Sequence, residues 1–74
     1  MLLQVVLDTM KRHASHAGVA QSACGALINM SFYAANRVAL IAQGGVATTR
    51  DVKRKHPGNV AIQLFADELL FALL

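Results

Sequence analysis

Apolar residues recur along this chain at helical spacing. Leu3, Val6, Leu7 and Met10 stand at i, i+3, i+4 and i+7, which predicts a helix from about Leu2 to Arg12. Lys11, Arg12 and His13 close it with the positive charge that a helix C-terminus favours. A second helix is expected from near Ala17 to near Ser31. Its stripe is Val19, Ala23, Leu27 and Met30, broadened by Ala20, Cys24 and Ala26, and its side chains are small enough for a neighbour to approach closely. Ala34 to Ala42 reads as a short third helix with Val38, Leu40 and Ile41 apolar. Gly44-Gly45 stops it, because glycine accepts left-handed backbone angles at low cost. A fourth helix is expected from Val46 to about Lys55, although ATTRDVKRK offers little apolar face. His56-Pro57-Gly58-Asn59 breaks the chain again. A fifth helix begins at about Asn59, whose side chain can cap an orphan amide, with Ile62, Phe65, Ala66, Leu69, Leu70 and Leu73 on its buried side.

Composition sharpens this picture. Of 74 residues 55% are apolar, which excludes a disordered chain, and the bulk is Ala, Val and Leu, which favours helices over sheets. A single Cys excludes an intramolecular disulfide framework. A core of this size is marginal alone, so the chain is expected to lean on further repeats or on another copy of itself. No run reaches the length of a membrane span, and MLLQVVLDTM lacks the basic start of a signal peptide. The expectation is an intracellular protein, cytoplasmic or nuclear, with no membrane partner. The net charge of +3 is uneven. Between Arg37 and His56 five basic residues face one acid, Asp51, whereas the last eighteen residues carry only Asp67 and Glu68.

A shift of 43 residues aligns the two halves. Asp8 meets Asp51, His13 meets His56, Ala23 meets Ala66 and Leu27 meets Leu70, at equivalent points of the helices and breaks. A period near 40 with two or three helices per unit is a mark of an α-solenoid. The segment NRVALIAQGGVATTRDVKRKHPGN, flanked by VAQSACGALINMS and AIQLFADELLFALL, resembles the armadillo-repeat family. The resemblance implies an all-α, armadillo-like α-solenoid fragment of about five helices. Residues 1–31 correspond to the second and third helices of one repeat, and residues 32–74 to one complete repeat. Two departures stand out. The fourth helix has Thr49, Arg50 and Lys53 where the first has Val6, Leu7 and Met10, and Gly25 and Glu68 replace a flanking aromatic.

The resemblance implies a non-enzymatic protein-interaction module or scaffold fragment. It would bind an extended peptide or a partner protein along Gln21, Gly25 and Asn29 on one side and Leu64, Glu68 and Ala72 on the other. A carboxamide donates and accepts together, as a peptide bond requires; the competing reading has Asn29 bonding only nearby backbone. The alternative function is a basic nucleic-acid-binding module using Arg50, Lys53, Arg54 and Lys55. It is less favoured because no aromatic platform interleaves the cations. His13, His16 and Cys24 lack the second ligand pair of a zinc site, and His13 and His56 read as structural turn residues. No catalytic residues, metal or cofactor are expected: four acids form no constellation with a His and a nucleophile, and Gly44-Gly45 lacks the Lys of a phosphate loop.

Overall fold

The computed structural model describes residues 2–74, and they form five α-helices with no strand among them. They are α1 (Leu2–Arg12), α2 (Ala17–Met30), α3 (Ala34–Ala42), α4 (Gly45–Lys55) and α5 (Val60–Leu73). Each boundary has a local cause. His16 caps α2 by accepting the Val19 amide on Nδ1 at 3.2 Å, and Asn59 caps α5 by accepting the Ile62 amide at 3.0 Å. Gly44, at φ +84°, makes the left-handed turn between α3 and α4. Gly45 is the first residue of α4, where the pattern pointed to Val46, and a Cβ there would lie 2.8 Å from the Leu40 carbonyl oxygen.

The most extensive helix contact joins α2 and α5; α1 packs on α2 and α4 on α5, with the short α3 touching α4, α5 and α1. One core runs through residues of both halves, including Leu7, Met10, Cys24, Leu27, Leu40, Val52, Ile62 and Leu69. Side chains pin the corners. Asn36 and Arg37 donate to the carbonyls of Met30 and Ser31 at 2.8 and 2.7 Å, tying α3 to the end of α2. Gln63 donates to the carbonyls of Lys53 and His56, closing the α4–α5 break. His56 donates through Nε2 to the Ala14 carbonyl at 2.7 Å and so links the two breaks. His13 is exposed; the second turn histidine with a bonding role is the cap, His16.

The buried faces differ from the expected stripes. On α2 the buried residues are Ala20, Ala23, Cys24 and Leu27, and Val19 is half-buried. On α5 they are Ile62, Ala66, Leu69 and Leu73, while Phe65 and Leu70 are half-buried. On α3 only Leu40 is buried. On α4 the buried set is Gly45, Thr48, Thr49 and Val52, so the polar run does supply a packing face. It does so because each threonine folds its hydroxyl back onto its own helix, Thr48 onto Gly44 O at 3.0 Å and Thr49 onto Gly45 O at 2.7 Å. The buried donor is thereby satisfied and the methyl is left to pack.

The helix bounds repeat at the expected 43 residues, 2 and 45, 12 and 55, 17 and 60, 30 and 73, but the buried faces do not. The two capping side chains, His16 and Asn59, are 43 apart. The buried residues instead repeat at 42: Leu3, Leu7 and Met10 match Gly45, Thr49 and Val52, and Ala20, Cys24 and Leu27 match Ile62, Ala66 and Leu69. One residue is about 100° of rotation on a helix. The second helix pair therefore begins at the offset of its caps but turns a different flank inward. For this reason Arg50, the 43-residue partner of buried Leu7, is exposed.

Candidate functional site

The face between α2 and α5 carries a groove built from two adjoining concavities. The first, about 480 Å³, is lined on α2 by Gln21, Gly25, Ile28 and Asn29 and on α5 by Phe65 and Glu68. The second, about 430 Å³, continues past Glu68 along Ile28, Phe32, Arg37, Phe71 and Ala72. Ile28, Phe32 and Glu68 belong to both and mark the junction. Two elements make the groove possible. Gly25 has no side chain to fill it, and the nearest atom to a Cβ built there is Phe65 Cε2 at 4.0 Å. Phe32, just beyond the end of α2, stands 76% exposed and forms a wall instead of entering the core.

Five of the six residues expected to line a peptide face therefore lie along one groove: Gln21, Gly25, Asn29 and Glu68 in the first concavity, Ala72 in the second. Leu64 does not; it is exposed on α5 but lines neither concavity, and Phe65 occupies the wall position next to it. Asn29 is exposed, and its carboxamide makes no hydrogen bond among the described residues, so the helix-end backbone bond is absent here. The groove is also more aromatic than the missing flanking position suggested. Phe32, Phe65 and Phe71 come to it from the α2–α3 connection and from α5. The pattern concealed them because it placed Phe65 wholly in the core and gave Phe32 and Phe71 no role.

The basic cluster is partly paired in place: three of its four cations share two carboxylates. Lys53 pairs with Asp67 across the α4–α5 contact, and Arg54 and Lys55 both pair with Asp51 on their own helix. Arg50 is exposed with no acid partner among the described residues. Asp67 is far from these cations in sequence, and only the packing of α5 on α4 delivers it. Among the described residues no three His, Cys, Asp or Glu side chains gather as a metal would require. Cys24 is fully buried, its thiol donating weakly to Met10 Sδ at 3.6 Å, and burial pushes its pKa up to about 11. A thiol so held is a packing group and a poor nucleophile at neutral pH. No helix of the described residues is long and apolar enough to cross a membrane.

Comparison of the chain with models of protein families, with curated proteins and with solved structures gives no match.

Proposed function

We propose that this chain is a non-enzymatic, armadillo-like interaction module that holds an extended peptide in the α2–α5 groove. The observation that carries the reading is the convergence of Gln21, Gly25, Asn29 and Glu68 on one concavity, with the Asn29 carboxamide exposed and uncommitted. An extended peptide presents backbone donors and acceptors that lose water when they bind, and a carboxamide replaces both kinds of bond. The aromatic and aliphatic walls from Phe32, Phe65, Ile28 and Phe71 give its side chains apolar surface to cover. The internal ion pairs of Lys53, Arg54 and Lys55 weigh against the nucleic-acid alternative, because a phosphate would have to displace a carboxylate already in place.

The test is selection of binders from a displayed library of unstructured random peptides, followed by amide chemical-shift mapping of the tightest one. The expected result is weak binding with shifts concentrated on Gln21, Gly25, Asn29 and Glu68. Asn29→Ala should then weaken it about two- to tenfold, the equivalent of one hydrogen bond. Shifts centred elsewhere, or an Asn29→Ala variant that binds equally well, would remove the peptide role. Salt-sensitive binding of an oligonucleotide at Arg50 would move the assignment to the alternative.

A further inference from the structure

Two charges of opposite sign, Arg37 and Glu68, line the second concavity of the α2–α5 groove without pairing with each other. Of the two acids on α5, Asp67 is taken by Lys53, whereas Glu68 is exposed and bonds nothing among the described residues. Arg37 is half-buried, and its Nη1 donates to the Ser31 carbonyl at 2.7 Å, which holds the side chain in place. No carboxylate meets it among the described residues, so its charge and its remaining N–H donors are uncommitted. Ile28, Phe32, Phe71 and Ala72 complete the walls, and apolar walls exclude part of the water that would screen such charges.

We propose that the peptide held in this groove carries a basic and an acidic side chain two positions apart, the base against Glu68 and the acid against Arg37. The inference rests on the peptide reading and adds to it the chemical class of the peptide. Successive side chains of an extended strand point to opposite sides, so positions i and i+2 face the same wall, about 7 Å apart. Arg37 and Glu68 suit such a pair, because they share one concavity yet lie too far apart to bond directly.

The order of polar groups along the groove sets the register. Gln21 and Asn29 line the first concavity, Glu68 stands at the junction, and Arg37 belongs to the second concavity alone. The base therefore falls at the junction, the acid at the Arg37 end, and uncharged residues over the two amides. Phe32 also lines the junction, and an aromatic face adds attraction for a cation. Both signs are required. A purely basic peptide brings a cation up to Arg37, and a purely acidic one brings an anion up to Glu68. Each loses at one contact what it gains at the other, so the groove selects for the mixed pair.

Five displayed libraries of unstructured random peptides, selected on the whole chain, test this. They are alike except at two positions separated by one: Lys-x-Glu, Glu-x-Lys, Lys-x-Lys, Glu-x-Glu and Ser-x-Ser. The tightest binder from each is measured, and amide chemical shifts show whether it lies on Gln21, Gly25 and Asn29. One of the two mixed libraries should give groove binders about two- to tenfold tighter than Ser-x-Ser, as two exposed ion pairs allow. Lys-x-Lys and Glu-x-Glu should gain nothing. In Glu68→Lys the preference should move to Glu-x-Glu. Glu68 bonds nothing within the fold, so this variant should keep the parent's helices, which far-UV circular dichroism checks. Groove binders of equal affinity from every library would overturn the charge rule and leave the peptide reading standing. A parent that prefers like charges, or a folded Glu68→Lys variant with the parent's preference, overturns the rule as well. Binders that all map outside the groove would remove the peptide reading, and the charge rule with it.

Discussion

Leu27 and Asn29 are two positions apart on α2 and have opposite fates: the first is fully buried in the shared core, the second stands in the groove in contact with solvent. Truncating Leu27 to Ala removes buried methyl groups and leaves a cavity, at a cost of about 2–5 kcal/mol. In a chain this small that is a large share of the total stability, so Leu27→Ala should be mostly unfolded in a thermal melt followed by circular dichroism. A variant melting with the parent would show that the site collapses around the loss. Cys24 makes a different prediction. Burial disfavours its thiolate and raises its pKa from 9.0 to about 11. Below pH 9 both folded and unfolded chains hold the proton and the full stability is present. Between pH 9 and 11 the unfolded chain releases the proton first, so stability falls as pH rises. Urea melts at pH values on either side of this window should show that loss in the parent, and a shallower one in Cys24→Ala.

Among the elements, the α3–α4 turn is the most constrained. Gly44 adopts the left-handed conformation, and the nearest atom to a Cβ placed there is the flexible Lys11 Nζ at 3.9 Å. Gly44→Ala should therefore cost about 1–2 kcal/mol, the penalty of the backbone conformation alone. Gly45 has ordinary angles but no room, because its Cβ would collide with the Leu40 carbonyl, a backbone atom that moves only with α3. Gly45→Ala should destabilise more than Gly44→Ala in chemical denaturation, and the reverse order would mean that α3 and α4 separate easily. The helix ends were legible because their causes are local: Asn59, Gly44-Gly45 and His56-Pro57-Gly58 act within a few residues of themselves. The inward faces were not. Weakly amphipathic runs such as those of α2 and α5 carry apolar residues around most of the circumference, and on α4 threonine could be scored as polar although its satisfied hydroxyl lets it pack.

The molecule as a whole, 32 × 22 × 17 Å, has the thickness of about two helix layers. Its ion pairs lie on α4 and between α4 and α5. Lys53–Asp67 joins α4 to α5, but both side chains are well exposed, at 39 and 56%, so the pair contributes no more than about 1 kcal/mol. Asp67→Asn should lower the melting temperature only slightly, and raising the salt concentration should shift the parent little. A strong salt dependence would reveal that the basic cluster is less neutralised in solution than its pairing indicates. The aromatic walls of the candidate groove belong to this scale as well. Phe32 follows α2 and Phe71 lies in the last turn of α5; they share a concavity only because α2 and α5 lie against each other.

The order of five helices, the glycine-marked and proline-marked breaks and the Asn59 cap follow from the chain's own pattern, because helix formation and termination depend on neighbours within a turn or two. The direction in which each helix turns its core face, the offset of 42 between buried faces on helices that repeat at 43, the pairing of Lys53 with Asp67 and the displacement of Leu64 by Phe65 at the groove wall were decided by packing. A rotation of one residue leaves a helix's local energetics almost unchanged. It alters which side chains meet another helix, and only the assembled core distinguishes those alternatives.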